Sequence, residues 1–482
     1  MNYKMVGRFL SQIIAIEGVF MIPALVISLF LDNSATVLGF VYALLIIFAL
    51  AGILYALCRK ADKLFGAREG MICVGFSWAI MSLLGALPFV FSGTIPNYIN
   101  AVFETVSGFT TTGASILSDV ESLPRGMLYW RSFTHWLGGM GVLVFLLAIS
   151  SGSKEGFTMH LLRAESPGPD VGKLVPKMRQ TAMILYLIYV VMTVINIIFL
   201  LIGRMPLLDA VCTAFGTAGT GGFGIYNDSM ASCSPYIQNI TTIFMFLFGV
   251  NFSCYYLLLL RQFKSVFRDE ELRLYIGIVV VSIILILCNT FRLYDNMGEA
   301  LRHAAFQVSS LMTTTGYTTT DYEAWPAFSK GILLMLMVIG ACAGSTGGGF
   351  KVARLLLVFK SLRRNIRREL NPKKVQVIRN NGNPVGETVL ANTNAYLAAY
   401  VIIIVISYLL ISIDNLSIGS TISAVLCCFN NIGPGMEAVG PTCNFAHLSY
   451  LSKIVLSLDM LAGRLEIFPI LVLLSKSAWK RK

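Results

Sequence analysis

The sequence predicts an all-α polytopic membrane protein. It reads as four copies of a helix, short helix, loop and helix, preceded by an extra N-terminal helix pair. Three observations carry this. First, 56% of the 482 residues are hydrophobic and only 13% are charged, whereas soluble domains carry about a quarter charged residues. Second, a helix needs about 20 apolar residues to cross a bilayer. Ten runs of that size lie near 9–31, 36–58, 70–92, 126–150, 181–203, 236–260, 274–291, 328–358, 393–412 and 448–475. Third, four shorter apolar segments, near 98–110, 208–218, 299–312 and 419–429, each lie between two spanning runs.

Basic residues set the orientation. With the N-terminus inside, each long run crossing once and each short segment dipping in and returning, the inner segments hold 29 of the 37 Lys and Arg residues. These include Arg59, Lys60, Lys63 and Arg68, five residues between 154 and 179, and ten between 351 and 379. The bias predicts cytoplasmic N- and C-termini. It also accounts for the net charge of +12 without nucleic acid. The outer segments are acidic (Glu104, Asp119, Glu121, Asp228, Asp321, Glu323, Asp414 and Glu437), and a mouth of that sign concentrates cations. No cleavable signal peptide is expected, because no small-residue cleavage site follows the first apolar run. The ten cysteines are scattered and form no zinc pattern.

The short segments end in related sequences: NAVFETVSGFTTTG (100–113), DAVCTAFGTAGTG (209–221), HAAFQVSSLMTTTG (303–316) and STISAVLCCFNNIG (420–433). Each begins at a polar residue that can start a helix and stops at one glycine: Gly113, Gly221, Gly316 and Gly433. The chain therefore divides into a helix pair at 1–66 and repeats at 67–165, 166–265, 266–375 and 376–482. Irregular backbone at membrane depth is tolerated only where it is packed in protein or lines water. Four such loops can meet around one axis, with short helices aiming their negative ends inward. Carbonyls and hydroxyls there can replace water around a desolvated cation. The expected order is thus helix, pore helix, filter loop, helix around one pore. The filter residues are Thr111, Thr112 and Gly113; Gly219, Thr220 and Gly221; Thr314, Thr315 and Gly316; and Asn431, Ile432 and Gly433.

At these residues the chain resembles the TrkH/TrkG/KtrB family of bacterial potassium-translocating subunits. The marks are TTTGAS (110–115), GTGGFG (219–224), TTTGYTT (313–319), NNIGPG (430–435), CAGSTGGGFK (342–351) and GRLEIF (463–468). The extra helix pair is similar to TrkH rather than to KtrB. The resemblance implies potassium as the transported ion, uptake across the cell inner membrane and a homodimer. It also implies a cytosolic TrkA-like ring as regulator, with any nucleotide, NAD or ATP/ADP, held by the ring. Surrounding lipid is the remaining expected partner. The second loop departs from the family, which usually has apolar residues before the filter glycine. Here Gly219 precedes Thr220 and Gly221, which leaves the register of that loop open.

The run 328–358 is interrupted by Gly344, Ser345, Thr346, Gly347, Gly348 and Gly349. Three adjacent glycines disfavour helix by about 1 kcal/mol each, so a break at membrane depth is expected. The resemblance makes this segment a gate beneath the filter. It is not a phosphate loop, because Phe350 separates Gly349 from Lys351 and no strand precedes it. Arg464 lies within the last run, where an arginine faces water or the protein interior. The resemblance puts it in the pore beside the loop; the other reading pairs it with Asp459 or Glu466. No enzyme is expected: His135, His160, His303 and His447 fall in unlike places, with no HExxH or GxSxG pattern. A proton- or sodium-coupled symporter and a poorly selective cation channel remain as alternatives, with Glu17 and Glu466 the obvious intramembrane carboxylates.

Overall fold

The computed structural model describes residues 2–59, 67–141, 178–373 and 376–479. Lys60, Lys63, His160 and the expected boundary between 165 and 166 lie outside the described residues. So do most of the basic residues between 154 and 179, and those at 480–482.

The chain opens with two long apolar helices, α1 (Tyr3–Leu31) and α2 (Ser34–Cys58). Asn2 and Asn33 cap them by accepting from the backbone N–H groups of Met5 and Thr36. Four successive units follow. The first is α3 (Ala67–Gly85), short helix α4 (Tyr98–Phe109) and α5 (Arg125–Met140). The second is α6 (Met178–Ile202), short helix α7 (Leu207–Gly219) and a helix in two pieces, α8 (Pro235–Phe248) and α9 (Phe252–Leu259). The third is α10 (Glu270–Thr290), α11 (Met297–Met312), α12 (Ala327–Ile339) and α13 (Val352–Leu370). The fourth is α14 (Glu387–Ile411), α15 (Ile418–Phe429), α16 (Tyr450–Arg464) and α17 (Phe468–Leu474).

Six helices among the described residues are long and apolar enough to cross a membrane without interruption: α1, α2, α3 with its continuation to Phe91, α6, α10 and α14. The final helix of each unit is different. Only the run 328–358 was expected to break, yet all four do. α5 stops at Gly141, which has φ +77°. α8 and α9 are bent by 90°. α12 stops at Gly340, with φ +73°, and α16 stops before Glu466 and Ile467, with φ +62° and +63°. Positive φ ends a helix. Uniform hydrophobicity hid these breaks, because an apolar run has the same composition whether it continues straight or turns.

The units close on one another. α5 packs against α7, α8 against α11, α12 against α15, and α16 returns to α4. In each case the final helix of one unit lies against the short helix of the next. The N-terminal pair attaches to the first unit through Asp32. Its carboxylate accepts from the backbone N–H groups of Arg125 (2.7 Å) and Gly126 (2.8 Å), capping α5.

Glu104 was expected as a solvated acid of the outer mouth, but it is buried within α4. It pairs with Arg131 at 2.7 Å, with the two side chains 1% and 2% exposed. It also accepts from Ser115 Oγ and the Ile116 N–H, both at 2.9 Å. Arg131 in turn donates to the Gly224 carbonyl (2.9 Å) and lies 3.6 Å over the Phe223 ring. The pair thus fixes the outer arms of the first two loops together. Breaking a buried pair costs about 3–5 kcal/mol, whereas an exposed one is worth under about 1 kcal/mol. Arg131→Ala is therefore expected to lower the unfolding midpoint in detergent strongly. Arg125→Ala, which removes the half-exposed partner of Asp209, should leave it nearly unchanged.

Candidate functional site

Each short helix ends in the same backbone turn. The N–H groups of Thr112, Gly221, Thr315 and Ile432 reach back five residues to the carbonyls of Ser107, Gly216, Ser310 and Cys427, at 2.8, 2.8, 2.8 and 2.9 Å. The residue before each of these, Thr111, Thr220, Thr314 or Asn431, is left-handed, with φ between +54° and +58°. Two residues later comes a glycine with positive φ: Gly113, Gly222, Gly316 or Gly433.

This pattern settles the second loop and corrects the expected register. The residue equivalent to Gly113 is Gly222, not Gly221. Gly221 stands where the other loops carry Thr112, Thr315 and Ile432. Gly219 is the last residue of α7 and stands where they carry Thr110, Thr313 and Asn430.

Contacts between loops give the same register. A Cβ on Gly113 would overlap the Gly221 carbonyl oxygen. One on Gly222 would overlap that of Thr315, and one on Gly316 that of Ile432. One on Gly433 would crowd that of Thr112. Each glycine thus sits against the carbonyl just before the glycine of the next loop, and the fourth loop closes on the first. The positions need glycine twice over, for their φ and for this approach. Outside the ring, all four glycines line one cavity of about 120 Å³ that opens to solvent.

Second-loop residues Gly219 and Gly221 lack side chains because His135 occupies their space. A Cβ on Gly219 would overlap the His135 carbonyl oxygen, and one on Gly221 the imidazole ring. His135 Nε2 accepts from the Phe223 N–H (3.2 Å), so Nδ1 carries the proton and donates to the Gly108 carbonyl (2.8 Å). One buried neutral ring therefore spans the first short helix and the second loop. In the first and third loops, threonine pairs brace the turn instead: Thr110 to Thr112 and Thr313 to Thr315, both 2.8 Å.

On the other side of the ring lies the segment from Gly340 to Lys351. The Gly348 N–H donates to Thr314 Oγ1 at 2.6 Å. Gly347 packs against the Thr313 carbonyl, and Gly348 against that of Asn430. Gly344 accepts from the Phe252 N–H (3.0 Å), Ser345 Oγ donates to the Cys342 carbonyl (2.6 Å), and Thr346 Oγ1 to that of Phe248 (3.3 Å). Gly349 has φ +79°, and Lys351 Nζ folds back on the Gly347 carbonyl. The segment thus covers the third and fourth loops from beneath.

Arg464 reaches this segment. Its guanidinium donates to the Thr346 carbonyl (2.7 Å) and to those of Gly138 (2.5 Å) and Gly139 (2.7 Å) at the C-terminal end of α5. Those last carbonyls carry the negative end of the helix dipole. Arg464 belongs to the fourth unit, which lies between the third and the first in the ring, so one guanidinium ties all three together. Of the acids expected as alternative partners, Glu466 pairs with Arg354, and Asp459 accepts from Ser407 at 2.7 Å.

The outer acids tie loops together as well as carrying charge. Asp119 accepts from Asn227 Nδ2 (2.9 Å), and Glu121 from the Asn227 N–H (3.0 Å). Hydrogen bonds from Asn227 hold Asp119 below the ordinary carboxylate range; those from Ser417 and Ser420 do the same for Glu437.

A family model described as "TrkH: Cation transport protein" matches residues 38–481. The chain belongs to the TrkH family. That is a transport family and not an enzyme family, and its members are membrane proteins, as the six long apolar helices require. The Trk system potassium uptake protein TrkH of Salmonella typhimurium and that of Escherichia coli K12 are each 35% identical over 488 residues, covering all of both chains. The crystal structure of the potassium transporter TrkH from Vibrio parahaemolyticus superposes with a TM-score of 0.89 at 29% identity, again over both whole chains.

Sequence reasoning missed Gly222, His135, Lys351 and Glu271, the last described below. His135 and Lys351 carried a signal, since each is a titratable residue inside an apolar run. Gly222 and Glu271 carried none that composition could expose. Replacing His135 by alanine leaves the buried Phe223 N–H unpaired, at about 1–3 kcal/mol, while the Gly108 carbonyl keeps the Thr111 N–H at 3.1 Å. His135→Ala is expected to lower the thermal midpoint by several degrees, and His135→Gln, which can still reach one partner, by less. Equal midpoints in detergent for all three proteins would mean that the imidazole braces nothing.

Proposed function

We propose that this chain takes up potassium across the cell inner membrane, through a selectivity filter made by the four loops and a gate made by residues 344–349 and Arg464. What carries the reading is the closed ring: four identical left-handed turns, each glycine against a carbonyl of the next loop. Such a ring can offer backbone oxygens to a cation that has lost its water. Four short helices end at it, adding partial negative charge. The architecture is read as ten membrane crossings, six continuous and four broken, with four pseudo-repeats around one pore and both termini cytoplasmic. The filter residues are those expected from the sequence in the first, third and fourth loops, and Thr220, Gly221 and Gly222 in the second. Family relatives are named as potassium uptake proteins, which supports the choice of ion.

Below the filter, the glycine segment and Arg464 form the closed barrier. A positive charge on a cation's path in low dielectric is strongly repulsive. For the proton-coupled alternative, Glu17 stands out among the buried carboxyls of the described residues because it lacks a hydrogen-bond partner. Glu17 in α1 is 1% exposed with neither oxygen hydrogen-bonded. It lies beside Gly85 and Phe109, behind the short helix rather than within the ring. We read the protein as a homodimer regulated by a TrkA-like ring that holds the nucleotide. Arg363, Arg364, Arg367 and Arg368 on α13 are the docking residues, and Arg364 is held by Glu387 at 2.5 Å.

The test is ⁸⁶Rb⁺ flux and reversal potential in vesicles. K⁺ and Rb⁺ should be preferred over Na⁺ and Li⁺. Gly113→Ser and Gly222→Ser should weaken that preference alike, since both add a side chain at positive φ in the same seam. Equal permeability of wild type to Na⁺ and K⁺ would sink the filter. Deleting Gly344–Gly349, and more weakly Arg464→Ala, should raise basal flux per folded protein while the ion preference stays. Flux at or below wild type in both would remove the gate. Changing the four arginines of α13 to glutamate should abolish co-purification with the ring; undiminished co-purification would place that contact elsewhere.

A further inference from the structure

The first turn of α10 carries three consecutive acids, Asp269, Glu270 and Glu271, and each is committed to a different part of the molecule. Glu271 points to the glycine segment. Its Oε1 accepts from the Ala343 N–H (2.5 Å) and from the Ala353 N–H (3.2 Å). These residues lie on the two strands of chain that enter and leave the segment. There the strands are pinched together: the N–H groups of Phe350, Lys351 and Val352 donate to the carbonyls of Val338, Ile339 and Ala341, at 3.1, 2.8 and 3.1 Å. One carboxylate oxygen thus clamps both ends of the segment at its mouth, and the residue is 9% exposed.

The other two acids face the basic surface. Asp269 caps α10 through the Leu272 N–H (2.8 Å) and accepts from Asn381 Nδ2 (2.7 Å). Asn381 Oδ1 in turn accepts from the Glu270 N–H at 2.9 Å. It sits at the tip of the hairpin formed by Arg379–Asn380 and Asn383–Pro384. Glu270 pairs with Lys360 of α13, and Lys360 also donates to the Arg379 carbonyl at 2.7 Å. Hairpin, α13 and glycine segment therefore meet at one helical turn.

We propose that Glu271 is the positioning residue that holds the intramembrane segment in its closed arrangement, and that the Asp269-Glu270-Glu271 turn transmits displacement of the hairpin and α13 to that segment. The inference rests on the reading of the segment as the gate. Hydrogen bonds fail within a fraction of an ångström beyond contact. A small shift of the first turn of α10 therefore releases both N–H groups at once, and a packed segment with two discrete arrangements converts such a shift into opening. Both bonds share one charged acceptor, which makes them stronger than neutral bonds. A carboxylate that merely satisfied two buried N–H groups would not make the segment respond to the distant Asn381. That difference is what the experiment reads.

The full-length protein is purified and reconstituted in vesicles, and basal ⁸⁶Rb⁺ uptake per folded protein is measured without partner. Labelling of Cys342, which is buried beside Ala343, is followed with a membrane-permeant maleimide after the other nine cysteines are replaced by serine. Glu271→Ala should raise uptake by about a hundredfold, about tenfold for each of the two charge-assisted hydrogen bonds lost, and should expose Cys342. Glu271→Gln keeps an oxygen acceptor but not the charge and should raise both readouts by a much smaller factor. Asn381→Ala, at an exposed site far from the segment, should raise both readouts by a smaller factor, and it decides the matter if Glu271→Ala does not fold. Deletion of Gly344–Gly349 is the control for the gate. If the deletion raises uptake while Glu271→Ala and Asn381→Ala match wild type, the clamp is wrong and the gate stands. Equal effects of Glu271→Ala and Glu271→Gln would overturn the clamp by assigning the role to charge. If the deletion itself leaves uptake unchanged, the gate reading falls and takes this inference with it.

Discussion

A backbone that leaves the helical path inside a membrane must find partners for its N–H and carbonyl groups within the protein. The rest of this structure follows from that requirement. The four turns meet it by reaching back five residues into their own short helices, as Thr112 does to Ser107. That reach demands one left-handed residue and then a glycine. Once four such turns exist, they pack glycine against carbonyl around a closed ring. The long helices surround the ring, and the broken helices carry its neighbours' backbones close enough to touch.

The ring is symmetric in backbone and unsymmetric in chemistry. Threonine pairs brace the first and third turns, Asn430 braces the fourth by donating to the Leu426 carbonyl (2.9 Å), and His135 braces the second from outside. Three kinds of group thus brace four turns that share one backbone course. On the far side the asymmetry is greater. Among the described residues, the third unit inserts a glycine segment and the fourth supplies the arginine that meets it.

Charge is distributed by depth. Near the basic surface, Lys360 with Glu270 and Arg364 with Glu387 join elements through partly exposed pairs, which contribute little stability each. Deeper, Arg131 with Glu104 and Arg354 with Glu466 are nearly buried, and losing either partner strands a charge. Arg464 is different again. It donates to backbone carbonyls of two other units and lies 5.9 Å from the centroid of the Trp78 ring.

The sequence by itself determined the membrane class, the order of long and short helices, the family and the closing glycine of three of the four loops. Hydrophobic run length, lysine and arginine bias and the TTTG and NNIG endings are local signals, and local signals survive in one dimension. It placed the glycine segment and Arg464 as separate features of two runs. Tertiary structure alone decided that they touch, because Thr346 and Arg464 are far apart in the chain. It also decided that Gly222 completes the ring, since GTGG has two adjacent glycines and only the carbonyl of Thr315 distinguishes them. Glu104 read as a surface acid until its partner Arg131 appeared on another helix. The breaks in α5, between α8 and α9, and after α16 were invisible for a physical reason. Hydropathy measures how apolar a segment is, and whether an apolar segment runs straight or turns depends on the φ of one or two residues and on the neighbours that accept the turn.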